Sequence, residues 1–338
     1  MATIKQIAER CGVSVSTVSK ALNGAADVSP GTISRVRKVA AEMGYVPNSA
    51  ARALKTSRSY CFGLLVAETV AQSMPHEFFS KIIVSFQRRA SELGFDVTSI
   101  NDRLGERQMG FADHARYRNC DGILVVAGSE ADNSVIPELV ETGIPVICID
   151  YGVPGCGSVC SDNVQGMREL VSYIVNRGHR KIAYIHGHDT IVTRSRIAAY
   201  RAVCAEHGIV FPPEYLLPSL YHDGALAGEA TRRLLSLPDP PSCILYPDDL
   251  ACFGGINELE RRGLSLPENV STAGYDGLDI GQTFHPKLTT VRQNAEGMGR
   301  CAAEELVRAI DERERYDFRR ILIPGTLLPG ETIHPINT

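Results

Sequence analysis

Two groups of side chains in this sequence have types and spacings suited to chemistry. Residues 14–24 read SVSTVSKALNG, with four hydroxyls (Ser14, Ser16, Thr17, Ser19) and Lys20 within seven positions. Short hydroxyls and an ammonium hydrogen-bond to phosphate oxygens and base edges, and Val15 offers an apolar contact to a thymine methyl. The second group is a set of aspartates just after apolar runs: Asp150 after VICI, Asp162 in CSDN, Asp248 and Asp249 in YPDD, and Asp276 in AGYDG. Carboxylates there accept hydrogen bonds from the hydroxyl or N–H groups of a small ligand. Neither group is a catalytic apparatus. The sequence has no G-x-S-x-G elbow, no H-E-x-x-H, no G-x-x-x-x-G-K-[ST] loop and no intact G-x-G-x-x-G. A carbohydrate-active enzyme is the rival reading, but the adjacent acids of YPDD diverge, whereas glycoside hydrolysis needs two carboxyls facing one bond from opposite sides. His186 and His188 form an H-x-H and Cys156 and Cys160 a C-x3-C, each without a second ligand pair, so neither a metal site nor a cofactor is expected.

The elements around these residues fall into two kinds. Residues 1–60 hold nine Lys and Arg against three acids, a net +6, which leaves −10 for the rest of a chain whose total is −4. A basic head on an acidic body suits a polyanion-binding module joined to a unit with other work. In the head, Thr3 and Gln6 form a capping box, and Ile4, Ile7, Ala8 and Cys11 repeat at helical spacing up to Gly12. Ser14 caps a second helix with Val18, Ala21 and Leu22 on its inner face, ending at Asn23-Gly24. Ser29-Pro30 opens a third, with Ile33, Val36, Ala40 and Met43 as its buried stripe. Helix, tight turn, helix is helix-turn-helix spacing. It leaves Val15, Ser16, Thr17, Ser19 and Lys20 facing outward, which explains hydroxyl and β-branched residues where the pattern says helix: that surface is meant for a partner. The plain alternative is a solvated face of a structural three-helix bundle.

Residues 46–58, VPNSAARALKTSR, offer only about eight helix-competent positions, too few for a stable isolated helix. Docked in a minor groove, the small face of Ala50, Ala51 and Ala53, the cations Arg52, Lys55 and Arg58 and a protruding Leu54 would suit a wedge between base steps. An unstructured linker is the alternative.

From Tyr60 onward the pattern alternates between strands and helices. Strand candidates are 62–66, 97–100, 122–126, 145–149, 182–185, 243–246 and 271–275, and helical stretches include 77–93, 163–177, 193–207, 225–236 and 249–262. This order predicts an α/β fold with open parallel sheets covered on both faces, in two lobes of similar size. Ligands of such folds sit beyond the carboxyl ends of the strands, where the aspartates lie. At 338 residues and 44% hydrophobic content, two or three globular units are expected. The ten cysteines stand scattered in apolar contexts, as reduced core residues do. With no run of about 18 apolar residues and no export signal in MATIKQIAERCG, a cytoplasmic protein away from membranes is expected.

Along nearly its whole length the chain resembles the LacI/GalR (lactose/galactose repressor) family of bacterial transcription regulators. The resemblance rests on TIKQIAERCGVSVSTVSKALNG, GYVPNSAARALKTSRS, RGHRKIAYIHG, SRIAAYRA, PENVSTAGYDG and HPKLTTVRQN. It implies a helix-turn-helix head (1–46), a hinge helix and linker (47–60), and a two-lobed periplasmic-binding-protein-like domain (61–338) for effector binding and dimerisation. The lobes implied are about 61–162 with 293–320, and about 163–290 with 321–338, the chain crossing near 161–164, 289–293 and 319–324. Val15, Ser16 and Lys20 match operator-reading positions, Lys20 replacing the commoner arginine. Ser14, Thr17 and Ser19 match phosphate-contacting or capping positions, and Leu54, beside Ala51, matches the intercalating leucine. With Thr3, Asn23 and Lys55 these make up the candidate DNA-binding set. In the cleft the resemblance assigns Arg196 and Asp276 to gripping the ligand and Asp248 to a position where sugar-responsive members carry asparagine. Phe78 and Phe79 fall where others place aromatics; Asp150 and Asp162 complete the effector set. A sugar or glycoside is the implied effector, with a nucleobase or nucleoside as the alternative, and a homodimer on a near-palindromic double-stranded DNA operator is the implied assembly. Repression relieved by a sugar is the implied mode of control.

Overall fold

A computed structural model describes residues 2–22, 25, 27–45, 58–67, 77–127, 132–312 and 315–336. The expectations for Asn23, Ala51, Leu54, Lys55 and the hinge helix lie outside the described residues. The chain divides into two compact units, Met1–Ser59 and Tyr60–Thr338.

The smaller unit contains helices Ile4–Cys11, Val15–Leu22 and Pro30–Glu42. Each start is chemically specified. Thr3 and Gln6 make the reciprocal capping box, and Ser29 accepts from Thr32 N with Pro30 following. Ser14 Oγ accepts from Thr17 N at 3.1 Å. Gly12 stops the first helix at φ +64°, the left-handed conformation that costs glycine least. Ile7, Val18, Ala21 and Val36 are fully buried, and Ala8, Cys11 and Ala40 complete the core.

The larger unit has two α/β lobes. The first carries a six-stranded, wholly parallel sheet in the order Arg320–Ile323, Gly157–Ser161, Val146–Ile149, Gly122–Val126, Cys61–Val66, Asp96–Ser99. Alternate residues feed opposite faces. Phe62, Leu64, Leu124, Val126, Ile147 and Ile149 pack under helices Glu77–Glu92 and Ala295–Glu312. Leu65, Ile123, Val125, Val146 and Cys148 pack against helices Phe111–Tyr117 and Ile136–Val140. The helices Glu77–Glu92 and Ala295–Glu312 approach closely at Gly299, where a Cβ would lie 2.2 Å from the Ile82 carbonyl oxygen. The second lobe carries a four-stranded parallel sheet in the order Ser271–Ala273, Cys243–Leu245, Ile182–His186, Leu216–Pro218. Helices Asn163–Asn176 and Ile191–Glu206 cover one face, and Gly224–Leu235 and Asp249–Arg261 the other.

The chain passes between lobes after Ser161, after Arg292 and after Ile323, and strands Thr290–Arg292 and Thr326–Leu328 form an antiparallel ribbon at the crossing. Arg320–Ile323 pairs throughout with strand Gly157–Ser161 and is first-lobe structure, so this lobe runs a few residues past the approximate boundary at 320. Cys160 sits in the buried strand Gly157–Ser161, which is not among the strand candidates of the sequence. Only Val159 in GSVCS carries the β-branched signal of a strand, so the segment reads as a loop by composition. Among the described residues no helix is long and apolar enough to cross a membrane.

Candidate functional site

On the second helix of the head, Val18 and Ala21 point into the core, which turns the opposite side outward. Val15 is 41% exposed, Ser14, Ser16 and Lys20 are exposed, and Thr17 and Ser19 are half-buried. Ser14 Oγ bonds Thr17 Oγ1 at 2.8 Å and Ser16 Oγ at 2.7 Å, so the hydroxyls at the helix start form one polar cluster around the cap. The Lys20 ammonium pairs with Asp27 and holds that carboxyl below its ordinary pKa. Both partners are exposed, so the pair contributes little and leaves the ammonium open to exchange at small cost. Thr3 uses its hydroxyl in the capping box.

In the larger unit, the strand ends of the second lobe and the crossing segments bring polar side chains around Arg196. Arg196 is 2% exposed, projects from helix Ile191–Glu206 and stacks on Tyr275 with its guanidinium carbon 3.6 Å from the ring centre. Its Nε donates to Asn163 Oδ1 at 2.7 Å and Nη1 to the Pro247 carbonyl at 2.9 Å. Two of five N–H donors thus fix the fork. Asp276, at φ +106°, accepts from Gln293 Nε2 at 2.6 Å. Burial drives its pKa up to about 7, Asp248 adds to the rise, and Arg196, His222 and the Gln293 bond oppose it. Asp150, at φ +55°, accepts from Ser161 N at 2.8 Å; burial raises it to about 6 against the charges of Arg196 and Arg320.

Two of the expected ligand carboxylates do other work. Asp162 caps helix Asn163–Asn176 by accepting from Gln165 N at 2.9 Å. Asp248, fully buried, accepts from Ala251 N and His222 N, both at 2.8 Å, and so caps helix Asp249–Arg261 while anchoring the His222 backbone. Burial opposes the Asp248 charge, but bonds from His222 and Ala251 outweigh it and lower its pKa. Asp249, which the YPDD turn offers equally as a cap, instead accepts from Leu278 N at 2.7 Å and Thr290 Oγ1 at 2.6 Å, tying that turn to the crossing ribbon. Adjacent acids at a helix start carry the same sequence signal, so composition leaves open which one caps. Phe78, expected on the cleft wall, is only 8% exposed and belongs to the first-lobe core; its ring meets Phe79 edge-on at 5.2 Å. A cavity of about 330 Å³ nevertheless runs past it, lined also by Glu77, Lys81, Asp276, Arg292 and Gln293.

The structure adds residues that the sequence reading did not single out: His222, Tyr184, Tyr221, Tyr275, Asn163 and Gln293. Burial disfavours a charged His222, yet Asp248 and Asp276 beside it raise its pKa. Tyr221 Oη lies 2.8 Å from Thr193 Oγ1. Tyr184 Oη and Gln293 Oε1 are buried with no hydrogen-bond partner among the described residues. Buried polar atoms without partners are costly, so the two beside Arg196 and Asp276 leave the hydrogen-bond network there incomplete. Tyr275 and Gln293 stood within quoted motifs, AGYDG and VRQN, and that adjacency was the available signal.

The pKa of Asp276 carries a sign that experiment checks. Unfolded, the carboxyl ionises near its ordinary 3.8; folded, it holds its proton to about 7. The cost of its charge is absent below about pH 4, grows as pH rises and is complete above about pH 7. Asp276→Asn should therefore raise the melting temperature relative to the parent protein more at pH 8 than at pH 5. An offset equal at both values contradicts the assignment.

Comparison with known proteins agrees with this architecture. The family model described as "Bacterial regulatory proteins, lacI family" matches residues 3–48, and that of a "Periplasmic binding protein-like domain" matches residues 171–333. The chain is 29% identical over 318 residues to a probable HTH-type transcriptional repressor, ExuR, of Bacillus subtilis (strain 168), covering 93% of each. It is 28% identical over 344 residues to the HTH-type transcriptional repressor PurR of Vibrio vulnificus (strain CMCP6), covering 100% of each. Among solved structures it is similar to a transcriptional regulator CelR–cellobiose complex, with TM-score 0.69, 27% identity and coverage of 98% of this chain and 100% of that one. The lac repressor dimer bound to operator and the anti-inducer ONPF shares the fold at TM-score 0.78 and 22% identity, over 98% and 99% of the two chains. With a lacI-type head, a periplasmic-binding-protein-like body and repressor relatives matching from end to end, the chain belongs to the LacI family of bacterial regulatory proteins.

Proposed function

We propose that this protein is a transcriptional regulator that binds a near-palindromic operator as a homodimer, and that a neutral sugar or glycoside held around Arg196 and Asp276 sets its operator affinity. The observation that carries the effector reading is the pairing of a pre-oriented arginine fork with a carboxylate acceptor beside the unpartnered Tyr184 Oη and Gln293 Oε1. Donors and acceptors brought together in one buried cluster suit vicinal hydroxyls, each of which gives and takes a hydrogen bond. The cellobiose complex of a fold relative supports the same class. A nucleobase needs a flat ring to stack on. Phe78, on the wall of the cavity that Asp276 and Gln293 also line, and Tyr221 beside Arg196 offer such rings, so a nucleobase or nucleoside is the second reading.

On the DNA side, the exposed Val15, Ser16 and Lys20 supply apolar, hydroxyl and cationic contacts from one helix to a major groove, and a dimer supplies two such helices one helical turn apart. Ligand that binds one arrangement of the lobes better than another shifts the population, and with it the hold on DNA. Selection from a pool of random duplexes at moderate salt tests the DNA half, and a two-fold symmetric consensus is expected. Recovery of unrelated sequences would overturn it. A sugar and nucleoside panel scored by thermal shift tests the effector half, with Asp276→Ala as the control.

A further inference from the structure

The first lobe holds a pair of thiols that the cleft does not use. Cys148 is the third residue of strand Val146–Ile149, and Cys156 closes the turn that leads into strand Gly157–Ser161. Their exposures are 1% and 6%, and Cys148 donates its S–H to Cys156 Sγ across 3.7 Å. Cys156 Sγ also receives Val153 N at 3.3 Å. These bonds, that from Cys148 foremost, outweigh burial and bring the Cys156 thiol down to about 7, while its role as donor and its burial push Cys148 well above the ordinary range. Cys156, whose own S–H reaches the Val153 carbonyl at 3.2 Å, thus stands 3.7 Å from a second thiol, the arrangement of an attacking and a resolving cysteine.

We propose that Cys156 is an oxidation site for hydroperoxides and that its product is a Cys148–Cys156 disulfide. The Cys156 thiolate attacks one oxygen of the peroxide; an S–O bond forms, the O–O bond breaks, and the departing oxygen takes a proton to leave as water. Cys148 then gives up its proton and attacks the Cys156 sulfenic sulfur; the S–S bond forms, the S–O bond breaks, and the hydroxyl leaves with that proton as a second water. Two thiols and one hydrogen peroxide become one disulfide and two waters, the sulfur pair supplying both electrons.

The geometry permits the closure. A disulfide spans about 2.04 Å, so the sulfurs must approach by roughly 1.7 Å. Cys156 follows Gly152, Pro154 and Gly155, all exposed, on a turn that lies outside any strand. The bond would close a ring around residues 149–155, which include Asp150, the carboxylate that bonds Ser161 N and lies within the field of Arg196. Oxidation would therefore fix the turn that carries Asp150.

The test is peptide mapping of the full chain after graded hydrogen peroxide and alkylation of the remaining thiols. The expected result is a cross-linked Cys148–Cys156 peptide, loss of two of the ten alkylatable thiols, and recovery of both on reduction. Cys148→Ala should leave Cys156 as a sulfenic acid that dimedone traps, and Cys156→Ser should leave Cys148 reduced. A folded parent protein whose Cys156 stays alkylatable while other cysteines oxidise would overturn the proposal. So would a first cross-link at Cys148–Cys160 or Cys61–Cys120.

Discussion

Arg196→Ala should abolish the response to effector and weaken effector affinity by about 100-fold or more. A charge-assisted hydrogen bond contributes about 1.5–3 kcal/mol, and a fork that grips two ligand oxygens loses two of them. The same substitution strips donors from the buried Asn163 Oδ1 and the Pro247 carbonyl, and the ring of Tyr275 loses its stacked cation. Leaving two buried acceptors unmet costs about 1–3 kcal/mol each, so the melting temperature should fall as well. Arg196→Lys separates the two effects. It keeps the charge and much of the volume but lacks the planar fork, so stability should recover further than affinity. Calorimetric titration beside thermal melts reads both, and affinity unchanged in the alanine variant would remove Arg196 from the site.

Starting the chain at Tyr60 should eliminate specific DNA binding while leaving effector affinity within about twofold. Specific protein–DNA contacts exceed non-specific ones by about 10³ or more, and all of the candidate base-reading side chains precede residue 60. What is left carries a net −10 and should be repelled by a polyanion. The cut coincides with the division between compact units, so the remainder keeps both its sheets and the whole Arg196 cluster. Filter binding and ligand titration on the shortened chain decide it. Retained operator selectivity would move the DNA-reading surface out of the head.

How far such expectations are legible in the sequence depends on how local the physics is. The head was readable because caps and stops are local: Thr3 with Gln6, Ser29 before Pro30 and Gly12 each act within one turn. Strands such as Gly122–Val126 were readable because their apolar runs are buried on both faces. Gly157–Ser161 and Arg320–Ile323 were not, since each exists as a strand only through its neighbour in the sheet, and that pairing spans more than 150 residues of chain. The aspartates show the same divide. Their place after strands pointed to the cleft, but a carboxylate that caps a helix and one that meets a ligand look alike in sequence, and the fold gave Asp162 and Asp248 to caps. His222, Tyr184 and Gln293 come from segments far apart in the chain, and only the two-lobed packing brings them to Arg196 and Asp276.

The central claim is that the cleft governs the head. The most direct measurement is operator affinity of the full chain, at fixed salt, with and without a sugar that raises its melting temperature, in the parent protein and in Arg196→Lys. The account predicts that saturating ligand changes the operator dissociation constant at least about tenfold in the parent, a coupling of about 1.4 kcal/mol, and changes it little in the variant. Equal operator affinity with and without bound ligand in the parent protein would contradict it.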